Sequence, residues 1–136
     1  MTTTSRPIVL VIDDEQILLR AMVRMLATDF NVLAYERGHD AIAYLASEAP
    51  CDAVLCDVGL MDMTGLAFHA RLQQLRPELA TRFVFMTGSD AGAEVEPFLK
   101  QHEGRVLLKP FGRAELIATL HTLLDTGAGR EGKADS

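Results

Sequence analysis

The sequence predicts an α/β fold: a doubly wound (βα)5 domain in which helices cover both faces of a parallel sheet. Five short apolar runs alternate along the chain with segments whose apolar residues recur at helical spacing. The runs are continuous rather than interrupted by polar residues, a pattern typical of parallel strands buried on both faces. The chain has 136 residues and is 49% hydrophobic, which suits one domain with a core of its own.

The first half of the chain gives two strand–helix units. Residues 8–12 form a continuous, largely β-branched run, which favours a buried strand. Residues 15–28 then carry apolar side chains at helical spacing, namely Leu18, Leu19, Met22, Met25 and Leu26. Residues 31–35 are the second predicted strand. Residues 38–47 are a short predicted helix whose inward-facing residues are Ala41, Ile42 and Leu45.

The second half gives three more units. They pair strand 53–56 with helix 64–75, strand 82–86 with helix 94–102, and strand 105–108 with helix 113–124. The helix before Pro77 is expected to end there, because the residue preceding a proline avoids helical geometry. Pro97 is expected in the first turn of its helix, where a missing N–H costs little.

Right-handed crossovers leave few topologies for such a chain, and we expect the strand order 2-1-3-4-5. Residues 1–6 and 126–136 are small and polar, and both are predicted to be disordered, the latter as a tail or a linker. The folded domain is therefore predicted at residues 7–125. No apolar run approaches the ~20 residues that cross a bilayer, and the leader has no apolar core, so we expect a cytoplasmic protein without direct membrane contact.

Charge and cysteine content narrow the function further. The formal net charge of −6 disfavours direct binding to nucleic acid, which requires a basic face. Cys51 and Cys56 do not form a CxxC pair or a metal-ligand spacing, so we interpret them as structural. The four histidines are scattered over predicted helices, and we interpret them as surface or structural residues.

Polar residues gather at the carboxyl ends of the predicted strands, where ligands bind in open α/β sheets. They are Asp13 and Asp14 after the first strand, Asp57 after the third, Thr87 and Ser89 after the fourth, and Lys109 after the fifth. Taken alone, Asp13 and Asp14 could equally cap the following helix, and Ser89 could be a turn residue. In the 2-1-3-4-5 order, however, these strand ends converge on one pocket.

Three carboxylates in one pocket repel one another and call for a cation. Mg²⁺ fits, since it prefers oxygen ligands and is held by one or two carboxylates together with phosphate oxygens. Asp57 is then a candidate nucleophile toward phosphorus. Lys109 and the Thr87 hydroxyl are candidates to stabilise charge on the transferred phosphoryl group.

Four motifs carry a resemblance to a known family. They are Val11-Ile12-Asp13-Asp14-Glu15, Leu55-Cys56-Asp57, Met86-Thr87-Gly88 and Leu108-Lys109-Pro110-Phe111. In this order, each at a strand end, they resemble the receiver domains of bacterial two-component response regulators over roughly residues 7–125. The resemblance implies a flavodoxin-like fold, a cis Lys109–Pro110 bond, and phosphotransfer from a histidine kinase or histidine phosphotransfer protein. The resemblance also implies that the chain passes the signal to a downstream protein, which the sequence does not identify, and it is compatible with a homodimer.

The same resemblance implies roles for individual residues. Asp57 would be the phosphoacceptor, and Thr87 and Lys109 would contact the phosphoryl oxygens. For Mg²⁺, Asp14 would be a direct ligand, Asp13 would act through water, and Asp57 and the Gly59 carbonyl would complete the protein ligands. The chain would catalyse its own phosphorylation and dephosphorylation rather than act as a metabolic enzyme.

Two residues depart from the family pattern. Val106 stands where receivers usually carry Tyr or Phe, so it cannot act as the usual aromatic switch. Met61 stands where a proline usually stiffens the loop after the phosphoacceptor, although Leu60, Met63 and Gly65 still match.

Other functions fit these residues less well. A degenerate receiver that binds partners without phosphorylation is the alternative; Asp57, Lys109 and the acidic pair count against it. A phosphatase of the haloacid dehalogenase type needs an Asp two residues after its nucleophile, where this chain has Gly59. A flavodoxin would need a hydroxyl-rich phosphate loop where this chain has acidic residues. A DNA-binding output would need a further ~60–100 residues. We therefore expect a stand-alone receiver or one excised from a longer protein, such as a hybrid sensor kinase.

Overall fold

The computed structural model describes residues 6–88, 96–101 and 105–125. Within these residues, five parallel strands form one sheet in the order β2-β1-β3-β4-β5, as the sequence predicts. The strands are β1 (Ile8–Ile12), β2 (Asn31–Tyr35), β3 (Ala53–Asp57), β4 (Phe83–Thr87) and β5 (Val106–Leu108). The predicted disordered tail, most of the predicted leader, and Ser89 lie outside the described residues.

Helices connect the strands in chain order. They are α1 (Gln16–Leu26), α2 (Gly38–Ala46), α3 (Gly65–Leu75), α4 (Pro77–Ala80), α5 (Glu96–Gln101) and α6 (Arg113–Asp125). The longest of them, α6, has 13 residues, and no helix in the described ranges is both long and apolar enough to cross a membrane.

The core has two layers, one on each face of the sheet. Successive strand residues point to opposite faces, so Leu10 and Ile12 join one apolar cluster while Val9 and Val11 join the other. The first cluster is completed by side chains of α2, α3 and α4, and the second by side chains of α1 and α6. This burial on both faces explains why the strands are continuous apolar runs.

Strand register brings the chemically important strand ends side by side. Ile12 pairs with Cys56, so Asp13 and Asp57 are each the next residue on neighbouring strands. Asp57 in turn pairs with Met86, the residue before Thr87. Thr87 pairs with Leu108, the residue before Lys109. One edge of the sheet therefore carries all four positions.

The structure differs from the predicted elements in details. A one-turn helix, α4, begins at Pro77, which the sequence analysis treated only as the end of α3; proline is well suited to the first helical position. Asp57 and Thr87 form the last pairs of β3 and β4 instead of following the strands. Of the predicted helix 94–102, the described part is α5.

Candidate functional site

Three carboxylates converge at the carboxyl edge of the sheet. One oxygen each from Asp13, Asp14 and Asp57 can be chosen so that all three lie within 4.8 Å of one another. The Asp13 side chain is fully buried, and the Asp57 side chain is 13% exposed, so the cluster is open at Asp57 and closed behind it. A small ligand can therefore reach Asp57 from solvent.

Asp13 is held by the turn between β1 and α1. Its backbone N–H donates to the Tyr35 carbonyl at 3.1 Å, and its Oδ1 accepts the Glu15 backbone N–H at 2.9 Å. The cap position of α1 is Glu15 and has no side-chain capping hydrogen bond, so Asp13 Oδ1 orders the turn before the helix and does not cap it. The other oxygen, Oδ2, is buried and accepts no hydrogen bond from the described residues, although it has an ion pair.

Lys109 inserts its ammonium among the carboxylates. Its Nζ lies 3.0 Å from Asp57 Oδ1, 3.1 Å from Asp13 Oδ2 and 3.6 Å from Glu15 Oε1. The side chain starts from the residue after the edge strand β5, and the peptide bond to Pro110 is cis, as the resemblance implied. Its backbone N–H donates to the Thr87 carbonyl at 2.8 Å, which ties the Lys109 and Thr87 segments together.

Close backbone packing holds the segment behind Asp57. The Gly65 N–H donates to the Val58 carbonyl at 2.7 Å. A Cβ added at Gly65 would lie 2.8 Å from the Asp57 carbonyl oxygen, so only glycine lets α3 begin this close to the strand end. Gly59 is exposed, and apart from its chain neighbours no atom of the described residues lies within 4 Å of its Cβ position.

Thr87 is 4% exposed and lies at the same edge of the sheet. Its hydroxyl donates to the Gly88 carbonyl at 3.4 Å, a long and weak hydrogen bond that is easily exchanged for another acceptor. Val106 pairs with Phe85 and packs against the first apolar cluster. It therefore contributes a small aliphatic side chain where receivers usually carry an aromatic ring.

The electrostatics of the cluster follow from burial and charge. Burial raises the pKa of Asp13 and of Asp57 above the ordinary aspartate value, and the nearby Lys109 only partly offsets it. Burial works to lower the pKa of Lys109, but the hydrogen bond to Asp57 and the charges of Asp13 and Asp57 outweigh it and raise that pKa. The ammonium therefore stays charged, and the carboxylates still hold an excess of negative charge.

The donor set fits a divalent cation. Three carboxylates, those of Asp13, Glu15 and Asp57, share ion pairs with the Lys109 ammonium, and Asp14 adds a fourth carboxylate to the cluster. The buried Asp13 Oδ2 has Lys109 Nζ at 3.1 Å as its ion-pair partner and no other polar partner among the described residues. Oxygen-only ligands with excess negative charge suit Mg²⁺, which keeps several of its waters. Of the three clustered aspartates, Asp14 and Asp57 are partly exposed and Asp13 is fully buried behind them.

One contact at the rim of this site is not predictable from the sequence patterns above. Asp62, in the loop between β3 and α3, accepts hydrogen bonds from the backbone N–H groups of Gly38 and His39. The residue before α2 is Arg37, whose side chain makes no capping hydrogen bond. The sequence offers no good capping residue immediately before α2. That absence is the signal from which a cap by a distant side chain can be predicted.

The cysteines and two histidines lie where the structural interpretation expects them. Cys51 and Cys56 are free and buried, and burial raises the pKa of the Cys51 thiol to about 11. His69 is buried with its ring 4.9 Å from that of Phe83, and the His121 ring lies edge-on to Phe30. His102 lies outside the described residues.

Comparison with known proteins agrees with this geometry. The family model described as the response regulator receiver domain matches residues 9–121. The transcriptional regulatory protein KdpE of Mycobacterium tuberculosis is 32% identical over 114 residues, which cover 83% of this chain and 49% of that protein. The chain thus spans about half the length of the curated relatives of this kind that it matches.

Two solved structures share the fold. A response regulator receiver protein from Sinorhizobium medicae superposes with a TM-score of 0.74 at 26% identity, over 90% of this chain and 98% of that one. A sensor protein from Polaromonas has a TM-score of 0.77 at 24% identity, over 90% of this chain and 99% of that one, and this likeness concerns the fold alone.

Proposed function

The chain belongs to the family of response regulator receiver domains, which act in two-component signalling, and we propose that it accepts a phosphoryl group on Asp57. Members of this family bind Mg²⁺ at an acidic pocket, and the described part of the chain has such a cluster of aspartates. The observation that best supports the proposal is the 3.0 Å distance between Lys109 Nζ and Asp57 Oδ1 in a pocket that also holds Asp13 and Asp14. A nucleophile, a fixed cation and a metal-ligand set thus occupy one pocket.

Phosphotransfer would start at the partly exposed Asp57 carboxylate. One of its oxygens attacks the phosphorus of a phosphohistidine on a kinase or phosphotransfer protein. The new P–O bond forms as the P–N bond breaks, and the electron pair of the broken bond stays on the imidazole nitrogen. The product is an acyl phosphate on Asp57, and attack of water on the same phosphorus would later release inorganic phosphate.

The surrounding side chains would stabilise the charge on the phosphoryl oxygens. Lys109 is close enough to exchange its ion pair with Asp57 for one with a phosphoryl oxygen. The weak hydrogen bond from Thr87 to the Gly88 carbonyl leaves that hydroxyl free to donate to another oxygen. Bound Mg²⁺ would supply further charge neutralisation, held by Asp14, Asp57 and the Gly59 carbonyl with Asp13 behind.

The phosphodonor would be a protein with an apolar contact surface. Ile17, at the start of α1, and Met61, in the loop after Asp57, are 85% and 88% exposed. Met61 and Asp14 line the same surface depression, so at least one of these apolar side chains borders the acidic cluster. We also propose a cytoplasmic location, since both cysteines are free thiols, as is usual in a reducing compartment.

The alternative, a degenerate receiver that acts by binding alone, has less support. It would not require the ion pairs that Lys109 makes with Asp57 and Asp13, nor three aspartates within 4.8 Å of one another. Val106 is the residue that favours it, because the usual aromatic switch is missing.

Intact mass spectrometry after incubation with acetyl phosphate tests the proposal. The wild-type chain should gain one phosphoryl group in the presence of Mg²⁺ and none in the presence of a chelator. Asp57→Asn should gain none. Asp52→Asn, which changes an aspartate on the opposite edge of the sheet near the start of β3, should gain one like wild type. A wild-type chain that binds Mg²⁺ yet stays unmodified would favour the degenerate receiver.

A further inference from the structure

We propose that Asp62 is a positioning residue for this site, because it fastens the loop that carries the Gly59 carbonyl onto the N-terminus of α2. The inference rests on the proposed function, since it assigns Asp62 a role in holding a metal ligand. The loop runs from Val58 to Thr64 between β3 and α3. Among the described residues, Asp62 makes no hydrogen bond or ion pair with Asp13, Asp14, Asp57 or Lys109; its side chain bonds to Gly38 and His39.

Three hydrogen bonds connect the loop to α2. The Asp62 carboxylate accepts the Gly38 N–H at 3.0 Å and the His39 N–H at 2.9 Å, and its Oδ2 lies 2.7 Å from His39 Nδ1. Its side chain is only 14% exposed. These are the first N–H groups of α2, which have no partner within the helix and carry its positive dipole end. One loop residue thus caps a helix that begins 24 residues earlier in the chain.

The charge state of Asp62 suits this role. Burial works to raise the pKa of Asp62, but the hydrogen bonds from His39 and Gly38 outweigh it and lower that pKa to about 2. The carboxylate is therefore ionised at neutral pH and can only accept hydrogen bonds. His39 Nδ1 must carry the hydrogen, so the imidazole donates to the same loop residue as its own backbone.

Apolar packing fixes the loop at a second point. A Cβ added at Gly38 would lie 2.7 Å from Met63 Cγ and 2.8 Å from Met63 Sδ. Glycine at the start of α2 thus lets the loop methionine pack directly against the helix backbone. Leu60, 7% exposed, belongs to the same apolar cluster as Ala41 and Ile42 of α2. The loop therefore rests on α2 through both a carboxylate and apolar side chains.

Val58 and Leu60 are buried on either side of Gly59, but Gly59 and Met61 have no packed side chain that would order their part of the loop. Apart from its chain neighbours, no atom of the described residues lies within 4 Å of the Gly59 Cβ position, and Met61, at the usual proline position, is 88% exposed. The glycine itself has no side chain to restrict its backbone, which leaves that one position with much conformational freedom between the buried Val58 and Leu60. Without the Asp62 contact, that freedom would have to be lost when the carbonyl binds a cation, which weakens binding. The hydrogen bonds to α2 supply the restraint that proline supplies elsewhere.

The test measures Mg²⁺ affinity by isothermal titration calorimetry for wild type and three variants. Asp62→Ala removes all three hydrogen bonds and should raise the Mg²⁺ Kd by about tenfold, the lower range for residues that orient metal ligands. Asp62→Asn keeps an oxygen acceptor for the backbone N–H groups and should raise it by only about two- to threefold. Ala43→Gly destabilises the same helix at an exposed position and should leave the Kd unchanged.

Amide hydrogen exchange provides a readout that does not depend on metal. In Asp62→Ala, the Gly38 and His39 amides should lose protection, and the loop amides from Gly59 to Met61 should exchange faster than in Ala43→Gly. If Asp62→Ala fails to fold, the same comparison is made with Asp62→Asn, which should show the smaller change. An Mg²⁺ Kd that is equal in wild type and Asp62→Ala, or equally raised in Ala43→Gly, overturns the positioning role. A wild-type chain that binds no Mg²⁺ overturns the proposed function and this inference together.

Discussion

Replacing Asp57 with asparagine removes one negative charge from a cluster whose three carboxylates lie within 4.8 Å of one another. At an effective dielectric constant of about 20, two unit charges at 4.8 Å repel by about 3.5 kcal/mol, and Asp57 has two such neighbours, Asp13 and Asp14. The Lys109 ammonium, 3.0 Å away, attracts Asp57 by about 5.5 kcal/mol. Burial, the largest cause of the raised pKa of Asp57, acts together with the repulsions, and the two outweigh the hydrogen bond and ion pair with Lys109.

We therefore expect Asp57→Asn to be more stable than wild type without metal. The free energy of unfolding should rise by about 1 to 2 kcal/mol in the presence of a chelator. Added Mg²⁺ should stabilise wild type more than the variant, because the variant has lost a carboxylate ligand. Urea denaturation at neutral pH measures both quantities, and an equal m value in the two proteins shows that the compactness of the unfolded state has not changed.

Glu48→Gln is the matched control, since it removes one carboxylate from an exposed turn after α2. It should change the free energy of unfolding by no more than about 0.5 kcal/mol. The electrostatic reasoning is refuted if Asp57→Asn is as stable as wild type, or less stable, in the chelator. Equal stabilisation by Glu48→Gln would also refute it, since the gain would then reflect net charge rather than the cluster.

Three further outcomes follow from the same contacts. Lys109→Met leaves the buried carboxylates without their cation, so the free energy of unfolding, measured by urea denaturation in a chelator, should fall by about 3 kcal/mol. The rate of phosphoryl uptake, followed by intact mass, should fall by about 10²-fold or more. An unchanged rate of uptake would contradict the role of Lys109. Asp62→Asn should lower the free energy of unfolding by about 1 to 2 kcal/mol at neutral pH. The pKa of Asp62 is lowered from 3.8 to about 2, so the difference in unfolding free energy between wild type and variant should disappear as the pH falls from 3.8 to about 2. A difference that does not change with pH would contradict the view that the ionised carboxylate of Asp62 is what stabilises the fold. Phe68→Ala opens a cavity in the first apolar cluster and should lower the free energy of unfolding by about 3 to 5 kcal/mol. The folded variant should still take up a phosphoryl group, because Phe68 lies in the core and not in the site. A folded variant that takes up none would contradict this separation of core and site.

The strands and their order could be predicted from sequence because burial on both faces leaves a direct trace. A run such as Val9, Leu10 and Val11 is fully buried, whichever face each residue points to. The meeting of Asp13, Asp57 and Lys109 could be predicted too, because it follows from strand order and strand length alone. Neither prediction requires the conformation of any loop.

Contacts that depend on loop conformation left no such trace. The Asp62 carboxylate and the Gly38 N–H meet across 24 residues, and no periodicity links them. Proline disfavours helical geometry in the residue before it, so Pro77 predicts the end of α3. The same residue suits the first helical position, and in the structure it starts α4. The sequence shows that Val106 replaces the usual aromatic residue. The effect of this replacement on signalling depends on the proteins that the chain contacts.

Chemical localisation of the phosphoryl group tests the central claim most directly. Protein phosphorylated by acetyl phosphate in the presence of Mg²⁺ is reduced with borohydride, which converts an acyl phosphate to an alcohol, and is then digested for peptide mass spectrometry. The account predicts reduction at residue 57 alone, and none when Mg²⁺ is replaced by a chelator. Reduction at Asp13, Asp14 or another carboxylate, or a phosphoryl group on one of the histidines, would contradict it.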